Sequence, residues 1–433
     1  MFICDNISRN ELGHLTFAGQ DTLALAAEYS TPLYLIDEEK LRRNCRIYTE
    51  AFSKYFPAGS MPLYASKANS FKQIYRIVAQ EHMGIDVVSC GEIYTAVQAG
   101  FDLSKAYFHS NNKTDEDISY AMENGVGYFV VDNIEEIYEI EAEAKRRGLR
   151  QKILLRLTPG IDCHTYEADE TGRVDSKFGS AIETGQAEEI TAFTLSQDHI
   201  ELVGFHCHVG SQVFAEDVFE RSAVIMLKFI ARIKEKYGYM AKLLDLGGGY
   251  GTRYVDTDGY IDIDKKISDV ANAVKDTCEK LGIEVPAILM EPGRSIVADA
   301  GMTLYTVGTV KQIPGYKNYV SIDGGMTDNP RFALYQSEYT CYNAGKMDEE
   351  ANFKADLVGR CCESGDIIRP EAYFPESTCR GDIIAVCTTG AYNYSMASNY
   401  NRIPRPPIVM LHNGESYVAV KRENMDDIIS LDI

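Results

Sequence analysis

No stretch of the sequence approaches 18 consecutive apolar residues, so no membrane-spanning helix is expected. The start, Met1-Phe2-Ile3-Cys4-Asp5-Asn6, lacks a basic segment followed by an apolar one, so no secretory signal is expected. Basic residues are scarce beside acidic ones, 43 against 64, a net charge of -21. That deficit excludes nucleic acid and anionic membrane as partners, because both need basic patches to release counterions. The eleven cysteines are odd in number and contain no C-x-x-C pair. Scattered thiols of this kind fit a reducing cytoplasm better than a disulfide framework.

What is present is a large soluble-type chain of 433 residues, with 45% hydrophobic and 25% charged content. The length suits about three domains, or one large α/β barrel plus a smaller domain. Eight apolar runs alternate with helix-period stretches: Pro62–Ser66, Gly84–Ser89, Ala106–Ser110, Gly127–Asp132, Lys152–Thr158, Glu201–Val209, Lys242–Leu246 and Pro286–Glu291. Helices are predicted over Ile134–Arg147, Glu216–Tyr237 and Asp264–Leu281. Eight β-then-α units predict a parallel sheet with right-handed crossovers, closed as a (β/α)8 TIM barrel over 38–300. Beyond 301 helical periodicity fades. Short runs punctuated by Gly, Pro, Asn and Asp predict an antiparallel β domain over 301–433. Leu15–Ala18 and Pro32–Ile36 also read as strands. They are expected to join that C-terminal sheet, making a discontinuous domain of 1–37 and 301–433.

The chemistry-bearing residues fall at the C-terminal ends of the predicted barrel strands, the face where barrels place their active sites. Lys67 follows the first strand. If desolvated there, its amine is suited to Schiff-base chemistry. Asp86 and His109 lie near the ends of the second and third strands. His206 and His208 end the sixth. Two residues apart on a strand, they face one side, so a metal pair competes with core hydrogen bonding and with stacking on an aromatic cofactor. Gly247-Gly248-Gly249 ends the seventh strand and is either a tight turn or an anion cup. It lacks the G-x-G-x-x-G register, because Thr252 stands three after Gly249, and no P-loop motif occurs. Glu291 ends the eighth strand, where a carboxylate can bond a neighbouring backbone or keep a ring nitrogen protonated. Arg294 follows as a candidate for carboxylate or phosphate.

In this order the motifs resemble the fold-type III pyridoxal-phosphate-dependent decarboxylases. The likeness runs through Tyr64-Ala65-Ser66-Lys67-Ala68-Asn69, Phe108-His109-Ser110-Asn111-Asn112-Lys113, Asp175-Ser176-Lys177-Phe178-Gly179, His206-Cys207-His208-Val209-Gly210-Ser211-Gln212 and Glu291-Pro292-Gly293-Arg294-Ser295. It continues through Cys362-Glu363-Ser364-Gly365-Asp366 to Tyr392. The resemblance implies pyridoxal 5′-phosphate as cofactor, held covalently by Lys67, with no metal. It implies that Asp86 lies among the cofactor contacts, that His208 stacks on the ring, and that Glu291 meets the ring nitrogen. Ser211, Gly247, Gly248, Gly249, Gly293, Arg294 and Tyr392 are implied for the phosphate.

Arg294, Arg331, Tyr335, Glu363 and Tyr392 are implied for the substrate. Cys362 is implied for protonation, reaching the neighbouring subunit's site in a homodimer. The expected reaction is decarboxylation of meso-2,6-diaminopimelate to L-lysine and CO2, the closing step of lysine biosynthesis. Ornithine, arginine or carboxynorspermidine are the alternative substrates on this fold, and a non-catalytic pyridoxal-phosphate-binding protein is the more distant one. Two arginines suit a distal carboxylate and would repel the distal ammonium of ornithine. Glu291 favours decarboxylation over racemisation, because a protonated ring nitrogen makes a deep electron sink.

Overall fold

The computed structural model describes residues 2–161 and 176–433. Asp175, part of the motif that ends at Gly179, lies outside the described residues. Contacts divide the chain into two compact units, Asn44–Gly251 with Tyr260–Gly293, and Met1–Arg43 with Thr252–Gly259 and Arg294–Ile433.

The first unit is a barrel. Its strands are Met61–Ala65, Gly84–Val87, Ala106–Phe108, Tyr128–Val131, Gln151–Thr158, Ile200–His206, Leu243–Asp245 and Ala287–Met290. Each pairs in parallel with the next, and the eighth pairs with the first through Leu289↔Met61, which closes the ring. All eight predicted strands are present, each within a few residues of its expected limits. The strands read as continuous apolar runs because both faces are covered. Inward positions Leu63, Tyr107, Val130, Leu154, Val203 and Leu289 fill the barrel as a packed core. The predicted helices appear as Ile134–Arg147, Val218–Tyr237 and Ile263–Leu281. Asn133 caps the first of these, Gly148 ends it in the left-handed conformation, and its basic last turn suits the helix dipole.

The second unit is a β domain whose main sheet runs Ile367–Pro375, Ala351–Val358, Lys317–Ile322, Gly301–Ile313, Leu33–Asp37, Ile408–His412, Glu415–Val420. Cys341–Asn343 pairs with Ile383–Cys387, which in turn pairs with Gly301–Ile313. Two features differ from expectation. The sheet is mostly but not wholly antiparallel: Lys317–Ile322 runs parallel to Ala351–Val358, and Leu33–Asp37 parallel to Ile408–His412. Leu33–Asp37 does join the C-terminal strands, but Leu15–Phe17 does not. It pairs with Ile7–Arg9 and Gln20–Asp21 in a separate three-stranded sheet. The reason is local. Ala18 and Gly19 both have positive φ, 49° and 76°, the two-residue turn that folds a strand back on itself. Leu15 and Phe17 nevertheless pack into the core that holds Leu33, Leu35, Leu304 and Val409. The strand Ile367–Pro375 escaped sequence reading because Pro370 and Pro375 interrupt it. An edge position, where the sheet places it, tolerates them.

Gly204 lies where the sixth strand slips register against the fifth, between Leu202 and Gly204. A Cβ there would stand 1.9 Å from the carbonyl oxygen of Leu243. Gly204→Ala is expected to cost about 1–3 kcal/mol, as overpacking against a backbone atom does. A lowered urea midpoint would register it, and an unchanged midpoint would count against this close approach.

Candidate active site

Register sets up the barrel mouth. Ala65 stands beside Asp86, and His206 stands beside both Arg156 and Asp245 on its neighbouring strands. Glu291 follows directly on the eighth strand and His109 on the third. Four ends therefore converge. His109 Nε2 lies 2.8 Å from Glu291 Oε1, and His206 Nε2 lies 3.3 Å from Glu291 Oε2. Asp86, His109, His206, Asp245 and Glu291 are all buried.

Burial pushes the Glu291 carboxyl up, but the charges of His109 and then His206 outweigh it and hold the group well below the usual range. Asp245 is driven the other way, by burial and then by the Glu291 charge. The proton shared by these two carboxyls therefore sits on Asp245. Asp86 is also raised, by burial first, against the pull of His109. Arg156, half-buried between Leu155 and Leu157 of the fifth strand, faces Asp132 at 3.9 Å. Sequence reasoning missed it, although a charged residue in the run Lys152–Thr158 is the signal that marks it.

Lys67 lies on the single 3-10 turn Ser66–Ala68. Its neighbours Ser66 and Ala68 are buried but Lys67 itself is exposed. Lys67 does act electrostatically on Asp86, Glu92 and His208. His208 is held well below its ordinary range by burial, then by Lys67 and Arg156, and so is a neutral imidazole.

The two histidines do not act as a pair. His206 bonds Glu291, whereas His208 Nδ1 accepts the Gly248 N–H at 3.3 Å. His109, His206, Asp245 and Glu291 do have ligand-capable atoms within 4.8 Å of one another. Of the two His–Glu contacts, that of His206 is a hydrogen bond and that of His109 is an ion-pair approach.

The glycine turn is partly consumed by the barrel. Gly247 N–H donates to Asp245 Oδ1 at 2.9 Å, and Gly248 N–H goes to His208. A Cβ at Gly248 would meet the Glu291 carbonyl oxygen at 2.0 Å, and one at Gly249 the Gly210 oxygen at 2.0 Å. Among the described hydrogen bonds, Gly249 N–H has no partner within the protein. The Gly210-Ser211-Gln212 loop packs on this turn through Val213 N–H to Gly249 O, 2.9 Å. Gly293 is needed where the eighth strand's end passes the first: its Cβ would lie 2.9 Å from that of Ala65.

The β domain gathers a second group. The Arg294 guanidinium stands 4.8 Å from the Tyr392 ring centroid and that of Arg331 5.4 Å. Arg331 also lies over Tyr335 at 5.1 Å, and Arg294 Nη1 donates to Tyr254 at 2.9 Å. Both arginines are buried. Cys362 and Glu363 are exposed. Cys362 N–H donates to Asn401 Oδ1 on a distant loop, and Glu363 accepts from its neighbours Ser364 and Gly365.

A lysine at a barrel mouth, a neutral imidazole, a turn that admits no side chain and a buried anionic carboxylate form a donor set that fits a phosphorylated heteroaromatic aldehyde. Residues 38–298 match the family model described as pyridoxal-dependent decarboxylase, pyridoxal binding domain. The chain belongs to this family and is a pyridoxal-phosphate-dependent decarboxylase. Its relatives narrow the branch. The chain is 42% identical to diaminopimelate decarboxylase of Bacillus subtilis, over 100% of this chain and 98% of that one. It is 42% identical to the Staphylococcus aureus enzyme of the same name, over 98% of each. The structure of diaminopimelate decarboxylase from M. jannaschii in complex with L-lysine superposes with a TM-score of 0.90. That pair is 32% identical over 100% of this chain and 99% of the other.

Burial pushes His206 from 6.5 down to about 4, against the pull of Glu291. A depressed histidine favours the neutral folded state. Its contribution is complete above about pH 6.5 and lost as pH falls towards 4, a cost of about 3 kcal/mol. His206→Gln is expected to flatten the decline of denaturation midpoint over that window, and an undiminished slope would contradict it.

Proposed function

We propose that the chain decarboxylates meso-2,6-diaminopimelate to L-lysine and CO2, working as a cytoplasmic homodimer. The observation that carries the substrate choice is the pair of buried guanidiniums about Tyr392, at 4.8 and 5.4 Å. Two cations drawn to one ring call for an anion, and the distal carboxylate of a diamino diacid supplies it. The full-length likeness to diaminopimelate decarboxylases, one of them in complex with L-lysine, supports the same reading. Free thiols at all ten described cysteines accord with a reducing compartment.

Lys67 holds the cofactor until the substrate's amine takes its place. Ser211, Gly247, Gly248, Gly249, Gly293, Arg294 and Tyr392 are assigned to the phosphate, with Gly249 as the turn's principal donor. Asp86 completes the cofactor contacts from the second strand. His208 offers a neutral ring face, and Glu291 accepts a hydrogen bond from the protonated ring nitrogen. Pyridoxal phosphate, when bound, supplies the electron sink into which the bond to the departing carboxylate breaks. An anionic Glu291 keeps that sink deep, which favours loss of CO2 over racemisation.

Arg294, Arg331 and Tyr335, with Tyr392, orient the distal carboxylate, and Glu363 takes the distal ammonium. Cys362 returns the proton to Cα. Cys362 and Glu363 are proposed to serve the neighbouring subunit, in keeping with their exposure. The barrel over 38–300 is thus proposed to carry the cofactor. The discontinuous domain of 1–37 and 301–433 is proposed to carry substrate recognition.

CO2 release is expected from meso-diaminopimelate and not from ornithine, and Arg331→Met should raise KM about tenfold or more. Turnover of ornithine without turnover of meso-diaminopimelate would sink the substrate assignment. Mixing inactive Lys67→Ala with inactive Cys362→Ala subunits should restore about a quarter of wild-type activity, since half the dimers carry one intact site. No recovery after verified subunit exchange would place both residues in one subunit's site.

A further inference from the structure

Glu291 is held by more groups than a ring nitrogen partner requires. His109 Nε2 addresses Oε1 at 2.8 Å, and His206 Nε2 addresses Oε2 at 3.3 Å. Each imidazole thus takes a different oxygen. Their rings meet edge to face, with centroids 4.9 Å apart and planes at 69°. Asp245 makes a third contact with the same carboxylate.

The holders sit on rigid supports. His109 N–H is fixed to Val87 O at 2.8 Å, and His206 is locked in register between Arg156 and Asp245. Glu291 N–H donates to Gly247 O at 2.9 Å. A carboxylate can accept about four hydrogen bonds. His206 hydrogen-bonds Oε2, His109 faces Oε1 at ion-pair distance and Asp245 lies against the same group, so the carboxylate's orientation is set from both oxygens.

We propose that His109 and His206 are positioning residues, whose Nε2–H groups aim the remaining lone pair of Glu291 at the ring nitrogen of the bound cofactor. The inference rests on Glu291 meeting that nitrogen, as proposed above. Neither imidazole need touch the cofactor for this. Each acts through Glu291 by fixing one oxygen and stabilising its charge, and so keeps the ring nitrogen's proton from returning to the carboxylate. The alternative is that the two histidines merely fill space at the mouth of the barrel.

The test is a cycle on the apoenzyme, read as binding rather than turnover. Wild type, His109→Met, His206→Met and the donor-retaining His109→Gln and His206→Gln are each titrated with two ligands. One ligand is pyridoxal 5′-phosphate. The other is its 1-deaza analogue, in which C–H replaces the ring nitrogen. Each methionine variant is expected to bind pyridoxal phosphate about tenfold more weakly while binding the analogue within about twofold of wild type. Glutamine, whose amide can place a donor near Nε2, is expected to recover most of the loss. Equal losses for both ligands, or no loss for either, would overturn the positioning role. Glu291→Gln serves as the reference. If it too fails to distinguish the ligands, the ring-nitrogen assignment of Glu291 is wrong. If it distinguishes them and the histidine variants do not, only the present inference falls.

Discussion

A charged carboxylate buried at the mouth of a closed barrel is the constraint on which this site depends. Removing such a group from water costs several kcal/mol unless partners replace the lost hydration. Glu291 recovers that cost locally, from His109, His206 and the proton on Asp245. Those partners come from three different strands, so they meet only because the sheet closes with fixed register. The closure has its own requirement. Gly248 must lie against the Glu291 carbonyl, and no side chain fits there. The glycine turn therefore serves packing, and two of its N–H groups are engaged within the barrel.

This arrangement also gives His206 and His208 different partners. Burial drives both towards the neutral form, but their bonds differ. His206 gives its Nε2–H to a carboxylate, and His208 receives a backbone N–H at Nδ1. The first is therefore an electrostatic support. The second is tied to the glycine turn. Lys67 shows the complementary case. Its backbone is fixed, with Asn69 N–H on Ser66 O at 3.1 Å and Tyr64 OH on Asn69 O at 2.9 Å, while its side chain stays exposed. Lys67 is thus coupled to the site through its charge, which acts on Asp86 and His208.

The barrel was legible in the sequence because its signal is repetitive. Eight apolar runs separated by helical periods leave few topologies, and Ile134–Arg147 has the same limits in both readings. The β domain was less legible, since short strands declare themselves weakly. Leu15–Phe17 carries the right residues for the main sheet, yet a local turn at Ala18-Gly19 captures it first. Pro370 hides an edge strand. At the site, the motif residues could be named in advance, but not how they bond. Nothing in His109 or Asp245 as residue types says that both converge on Glu291. That convergence follows from parallel register across strands well separated along the chain.

Tyr392 makes the corresponding point for the β domain. It adopts φ 61°, a left-handed conformation that costs an ordinary residue on the order of 1 kcal/mol or more. A strained residue persists where its surroundings fix it, and here the ring stands between two guanidiniums. Each gains a cation–π contact, but the two like charges also raise one another's energy. Hydroxyls of Tyr254 and Ser337 accept from Arg294 and Arg331 and fix how each guanidinium meets the ring. The left-handed turn at Tyr392 is thus the backbone feature that brings one aromatic face to two cations supplied by separate segments of the β domain.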